Sequence, residues 1–176
     1  MTKLINILGG PGVGKTTIAT LVFAELKLLG KNAEYVSEYA KQLVWTNDFE
    51  LLNNQHHVTN HQVKLFKGMV GKVDYIITDG SILHGLYYNL HNEDNVSNID
   101  KTEKYIIECY NSFNNVNIML TRGNYDYETA GRIQSIDEAK HVDIVLPMLL
   151  KDNNIEFKEF VSSRNVVNEI INEILK

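Results

Sequence analysis

Cysteine, proline, tryptophan and arginine are all scarce in this 176-residue chain: one Cys, two Pro, one Trp, and only Arg122, Arg132 and Arg164 among 17 basic residues. A lone Cys109 excludes a disulfide framework and a cysteine-built metal site, and it suits a reducing compartment. No apolar run approaches the roughly 20 residues of a membrane-spanning helix. The first residues also lack the charged, apolar and small-residue order of a signal peptide. The expected location is therefore the cytoplasm (the host cytoplasm if the gene is phage-borne), with no membrane partner. Few arginines and a net charge of -5 make a weak start for gripping nucleic acid by its phosphates. A local basic groove around Lys64, Lys67 and Lys72, extended by Lys101 and Lys104, stays open.

With prolines only at Pro11 and Pro147, no stretch reads as a linker, a repeat or a low-complexity tract. A 44% hydrophobic chain of this length is expected to form one domain over residues 1–176. Asparagine is abundant (Asn53-Asn54, Asn114-Asn115, Asn153-Asn154) and is given no functional weight. The hydrophobic pattern alternates between two periods. Leu4–Leu8 is a short apolar run closed by Gly9-Gly10, as for a buried parallel strand. Ile18, Leu21, Val22, Leu26 and Leu29 then share one helical face that Gly30 terminates. Further strands are predicted at 33–37, 73–78, 116–121 and 155–160. Helices are expected to continue through Trp45 and over 50–70, 82–91, 99–113, 135–150 and 164–175, with Ile99, Tyr105, Ile106, Cys109 and Tyr110 at core spacing in one of them. Strand–helix alternation of this kind argues for an α/β sandwich with a mostly parallel sheet.

The segment Gly9-Gly10-Pro11-Gly12-Val13-Gly14-Lys15-Thr16 satisfies G-x-x-x-x-G-K-[ST] at every fixed position and stands between a predicted strand and a predicted helix. The chemistry explains the spacing. Gly10, Gly12, Val13 and Gly14 can turn successive backbone N–H groups toward phosphate oxygens, and the helix N-terminus adds its positive end. Lys15 supplies a point charge to the β- and γ-phosphates, the Thr16 hydroxyl can ligate Mg²⁺, and Thr17 is the next hydroxyl in reach. ATP and Mg²⁺ are the expected cofactors.

Asp79 closes the third strand, where a carboxylate can hold Mg²⁺ directly or through water. An ordinary Asp-Gly turn is the bland alternative. Glu38 follows the second strand and faces the same crevice, since the C-terminal ends of parallel strands converge there. Either carboxylate could accept the proton of an attacking hydroxyl. Glu38 could equally be a favourable first-turn residue. Arg122 and Arg132 bracket a polar, aromatic segment, 122–134, with glycines at both ends. It reads as a small lid that brings cationic groups onto the transferring phosphoryl, a surface loop with an Arg–acid pair being the alternative.

Other signals are weaker. His56, His57 and His61 lack a completing carboxylate or cysteine for a metal set. Gln55 has the chemistry to read a base or sugar. Leu86, Tyr87 and Tyr88 are candidates for an acceptor pocket, core packing being the default for such residues, Trp45 for core or pocket wall, and Ser162-Ser163-Arg164 for an adenine-side loop or a helix cap.

Together the Gly9–Thr17 loop, Ser37-Glu38-Tyr39-Ala40, Thr78-Asp79-Gly80-Ser81 and the Arg122…Gly131-Arg132…Gln134 segment resemble the ribosylnicotinamide-kinase-like P-loop proteins of bacteria and phages. That resemblance implies the nucleoside and nucleotide kinase fold, a three-layer P-loop NTPase sandwich with a five-stranded parallel sheet in the order 2-3-1-4-5. It also implies MgATP on Lys15 and Thr16, Glu38 and Asp79 serving acceptor and metal, and Arg122 and Arg132 in the lid. Members act on nicotinamide riboside, and phage relatives include kinases of 5-hydroxymethyluracil in DNA. The expected activity is phosphoryl transfer to a nucleoside-like hydroxyl, on a small molecule or on modified DNA. The alternative is an ATPase coupling hydrolysis to a protein or nucleic-acid partner. No N-K-x-D-like segment argues for a GTPase.

Overall fold

The computed structural model describes all residues except Tyr125 and residues 129–132. Five strands, β1 (Lys3–Leu8), β2 (Ala33–Val36), β3 (Tyr75–Thr78), β4 (Asn114–Thr121) and β5 (Lys158–Val161), form one parallel sheet in the order β2-β3-β1-β4-β5. Interleaved with them are α1 (Lys15–Leu28), α2 (Tyr39–Thr46), α3 (Phe49–Leu52), α4 (Gln55–Met69), α5 (His84–His91), α6 (Ile99–Asn111), α7 (Ile136–Asp152) and α8 (Val166–Ile174). This is the three-layer α/β sandwich and the strand order expected. Among the described residues no helix is long and apolar enough to cross a membrane.

The central strands β1 and β3 are largely apolar on both faces because both faces are covered, whereas the edge strands β2 and β5 carry exposed polar residues. Ile5, Ile7, Ile77, Ile118 and Leu120 pack with Ile18, Val22 and Leu26 of α1 and with Ile170 and Ile174 of α8. On the opposite face Leu8 and Met119 meet Leu83 and Leu86 of the α5 region and Val142 and Leu146 of α7. Leu4 and Ile76 meet Val63 and Phe66 of α4 on that same face. One polar residue interrupts β1: Asn6, 1% exposed, donates through Nδ2 to Asn115 Oδ1 and Asn117 Oδ1, each at 3.0 Å. Asn117 in turn donates to the Tyr110 hydroxyl (2.7 Å) and the Glu156 carbonyl (2.8 Å).

Several expectations need correction. The 50–70 helix is two helices, because Asp48 caps α3 and Asn54 caps α4 by accepting the His57 N–H at 3.0 Å. Trp45 is neither core nor a cleft-lining residue: it is 62% exposed on the outer face of α2. Leu29 and Ile99 are also exposed, at the ends of their helices where the apolar face runs off the sheet. β5 starts only at Lys158, and Ile155, expected to open that strand, is buried ahead of it. The last helix starts at Val166, with Asn165 at its N-cap and no capping side chain.

Candidate active site

β1 ends at Leu8, and the chain turns through Gly9–Gly14 into α1. Gly14 occupies the helix N-cap with φ 91°, ψ 15°, a left-handed conformation that a side chain would resist. Val13 anchors the loop by burying its side chain in the core beneath it. Lys15 Nζ folds back over the loop and donates to the Gly9 and Gly10 carbonyls, both at 3.0 Å. Thr16 and Thr17 are exposed on the first turn of α1.

β3 lies beside β1 in parallel register, Asn6 opposite Thr78, so the residue after Thr78 arrives next to the phosphate loop. That residue is Asp79, 1% exposed and fully engaged. Its Oδ2 accepts the Thr16 hydroxyl at 2.5 Å. Its Oδ1 accepts the Tyr35 hydroxyl at 2.8 Å and the Glu38 N–H at 3.1 Å. Burial, then the Asp79 carboxylate, push the Tyr35 phenol above its ordinary pKa, so it stays a donor. Two adjacent oxygens from a hydroxyl and a carboxylate are the donor set a hard cation takes, so Thr16 and Asp79 fit a Mg²⁺ ion.

Glu38 stands at the N-cap of α2 but makes no side-chain cap there, and it lines the cleft beside Lys15 and Thr16. The Asp79-Gly80 turn packs directly on its backbone: a Cβ on Gly80 would lie 2.5 Å from Glu38 Cα. Gln62 fixes the same turn from α4, accepting the Tyr39 N–H (3.1 Å) and donating to the Ser37 carbonyl (3.2 Å).

The cleft in front of these groups has a volume of about 670 Å³. It is lined by Val44, Phe49, Leu52, Gln55 and Val58 from α2, α3 and α4 and by Tyr87 and Tyr88 of α5. Gln55 is buried, and its amide nitrogen donates to Thr59 at 3.2 Å. Glu93, Asp94 and Glu138 stand at the rim, with Lys41 and His91 as the cationic or titrating groups beside them. Burial and His141 lower the pKa of His91, leaving it neutral near pH 7.

The family model for the AAA domain matches residues 4–166. The chain belongs to the AAA domain family. Among solved structures, this AAA domain is similar to deoxyadenosine kinase from M. mycoides with dCMP and dCDP bound: TM-score 0.58, 16% identity, 98% of each chain covered. It is also similar to the APS kinase CysC of Mycobacterium tuberculosis in complex with AMPPNP and APS, with TM-score 0.51, 10% identity, and 99% and 95% of the two chains covered. At these identities the likeness is one of fold. A search of curated protein sequences finds no match.

Of the predicted site residues of the AAA domain, Lys15, Thr16, Glu38 and Asp79 come together at the loop. Arg122 makes an Arg–acid pair, the arrangement that stood as the alternative to a lid cation. Its Nε donates to Asp143 Oδ2 (2.5 Å), and its terminal nitrogen donates to the Pro11 carbonyl (2.7 Å) and Asp143 Oδ1 (3.3 Å). Gly10 likewise has its N–H committed, to Asp143 Oδ1 at 3.0 Å. Arg132 lies outside the described residues. Within the expected lid, Tyr127 lays its ring on Gly12, where a Cβ would come within 2.5 Å, and donates its hydroxyl to the Gln134 carbonyl at 2.8 Å.

The histidines of α4 make aromatic contacts, Tyr39 stacking on His61 at 3.7 Å between ring centroids and His56 meeting Tyr105 at a tilt of 41° and 4.6 Å. Among the described residues no group of three or more His, Cys, Asp or Glu could hold a metal. Sequence reasoning missed Tyr35, Asp143 and His84. His84 is buried behind the loop with Nδ1 3.1 Å from the Ser81 carbonyl, and burial followed by the Lys15 charge pushes its pKa down to about 3.

Proposed function

We propose that this AAA domain is a P-loop kinase that transfers the γ-phosphoryl group of ATP to a hydroxyl of a nucleoside-like acceptor. The observation that carries the proposal is the convergence of Lys15, Thr16 and Glu38 on one 670 Å³ cleft, with Asp79 bonded to Thr16 behind them. The loop amides and Lys15 hold the donor phosphates, Lys15 exchanging the Gly9 and Gly10 carbonyls for phosphate oxygens. Thr16 and Asp79 would hold Mg²⁺, which when bound neutralises charge on the phosphate oxygens. Asp79 already spends both oxygens on Thr16, Tyr35 and the Glu38 amide, which favours a holding role over proton transfer. Glu38, which lines the cleft beside Lys15 and Thr16, is assigned as the base: it takes the acceptor proton as the new O–P bond forms and the bond to the ADP oxygen breaks.

The charge of the cleft favours a free nucleoside over a nucleotide or modified DNA. Glu38, Glu93, Asp94 and Glu138 are among its lining residues, and the described cationic side chains that line it with them are Lys15, which serves the donor, and Lys41. A phosphorylated acceptor would meet like charge there, whereas aromatic walls and amides suit an uncharged or cationic ring. This agrees with the ribosylnicotinamide-kinase-like resemblance.

The test is γ-labelled ATP and Mg²⁺ with parallel acceptors: nicotinamide riboside, common nucleosides and their monophosphates, and DNA containing 5-hydroxymethyluracil. Label on a nucleoside is the expected result. Label on DNA would keep the kinase and reverse the choice of acceptor. Label found only as free phosphate, whatever the acceptor, would replace the kinase with an ATPase coupled to a protein or nucleic-acid partner.

A further inference from the structure

Behind the phosphate loop lies an ion pair that the loop motif does not call for. Asp143, on α7, accepts the Gly10 N–H and receives Arg122 on both oxygens, while Arg122 reaches on to the Pro11 carbonyl. The two side chains keep only 20% and 24% of their surface exposed. Three independent features of the chain serve this contact. Gly10 has no side chain, and a Cβ there would run into Asp143 Oδ1 and the Ala139 carbonyl. β4 pairs with β1 so that Leu8 faces Met119; the same offset carries Arg122 to Pro11. The start of α7 is fixed by a capping box, Ser135 Oγ accepting the Glu138 N–H and Glu138 accepting the Ser135 N–H at 2.7 Å.

We infer that Arg122 and Asp143 are positioning residues for the nucleotide donor: together they hold the first half of the phosphate loop in shape, and Arg122 acts through that loop instead of on the transferring phosphoryl. The charge balance sharpens this. Asp143 is an anion placed directly behind a loop that must receive a polyphosphate, and Arg122 is the cation that cancels it. Removing Arg122 alone therefore does two kinds of damage. The Pro11 tether is lost, and the Asp143 carboxylate is left to repel the nucleotide. A neutral amide at 143 would still accept the Gly10 N–H without that repulsion.

The experiment measures MgADP and MgATP affinity by calorimetry for wild type, Arg122→Ala, Asp143→Asn and the double variant, with steady-state kinetics alongside. Arg122→Ala should weaken MgATP by about tenfold, the scale of one charged hydrogen bond. Adding Asp143→Asn to it should recover affinity by roughly threefold or more, with kcat at saturating MgATP within about threefold throughout. An arginine that touches the transferring phosphate predicts the reverse: no recovery in the double variant, and a kcat loss of roughly a hundredfold or more in Arg122→Ala. Either of those results overturns the inference. Thermal unfolding of each variant separates loss of shape from loss of fold, and Arg122→Gln replaces Arg122→Ala if the latter does not fold. Only the kcat arm rests on the phosphoryl-transfer proposal; the binding arm needs no acceptor, so failure of one is distinguishable from failure of the other.

Discussion

Gly80→Ala is the sharpest probe of the site, because its effect can be worked from a single contact. The added Cβ would sit 2.5 Å from Glu38 Cα, 3.0 Å from Glu38 Cβ and 3.1 Å from Glu38 N. Carbon atoms in van der Waals contact are about 3.5–4.0 Å apart, so the two turns must separate by roughly 1 Å. Most of what they meet is backbone, which cannot rotate aside. The Glu38 N–H to Asp79 bond, already 3.1 Å, would then lengthen past hydrogen-bonding range. Losing that bond costs about 1 kcal/mol, and overpacking of a tight contact adds about 1–3 kcal/mol. At about 2–4 °C per kcal/mol for a chain of this size, Tm should fall by the order of 5–10 °C. On the proposal that Glu38 is the base, a shift of its carboxylate by about 1 Å costs on the order of a hundredfold in kcat. The KM for MgATP should rise as well, by several-fold, because the lost Glu38 N–H is one of the two donors that hold Asp79 Oδ1. Gly68→Ala is the matched control: it lies inside α4 with nothing within 4 Å of its would-be Cβ, and should raise stability by about 0.5–1 kcal/mol. Calorimetric unfolding and initial-rate kinetics on both variants make the comparison. Wild-type Tm and kcat in Gly80→Ala would refute the close approach of the two turns.

Three further outcomes are expected. Lys15→Ala should lower kcat by about a hundredfold or more, as for loss of one preorganised group at the developing charge, with an unchanged circular dichroism spectrum. Tyr35→Phe removes one of two donors to Asp79 Oδ1; the Mg²⁺ concentration for half-maximal activity, and for half-maximal MgADP binding, should rise several-fold, on the order of one hydrogen bond. His84 predicts a pH dependence of stability. Its folded pKa of about 3 lies below the ordinary 6.5, so between those values the unfolded chain binds a proton that the native chain does not. Stability from this group is therefore complete above pH 6.5 and falls on acidification toward pH 3, by up to about 1.4 kcal/mol per pH unit. Urea unfolding of wild type and His84→Gln at pH 4.5 and pH 7 should show the gap between them move in favour of the variant at the lower pH. A gap that does not change with pH would remove His84 from that account.

The parts of the molecule that sequence could show are those in which neighbours in the chain do the work. The loop from Gly9 to Thr16 is one continuous segment whose fixed positions match a P-loop between a strand and a helix, so it could be read from the sequence alone. Strand ends are nearly as legible. Asp79 is a carboxylate that stops an apolar run, and once β3 lies beside β1 it has one place to go. Asp143 could not be found this way. It sits mid-helix with the composition of a solvated face, and its partners are 133 and 21 residues away. Tyr35 reads as an ordinary alternating strand residue until β2 and β3 are laid in register. The error over Trp45 has the same root. Apolar character marks a side chain as favouring burial, but α2 turns that position away from the sheet and the cleft alike. Arg122 shows the limit most clearly: its place after a strand is legible in the sequence, and its pairing with Asp143, 21 residues on, is not.

The buried asparagines of β1 and β4 fix a distance. A sheet of Leu, Ile and Val strands has several nearly equivalent alignments, because sliding two apolar strands along each other exchanges one greasy contact for another. Asn6 removes that degeneracy. If β4 slipped by one residue, its side chains would swap faces and the amides would lose their partners, at about 1–3 kcal/mol for each unsatisfied group. The same slip would carry Arg122 about 3.3 Å along the strand, out of reach of the Pro11 carbonyl. Residues that never approach a nucleotide thus act as the gauge against which the phosphate loop is cut, and the tolerance of the site is set in the middle of the sheet.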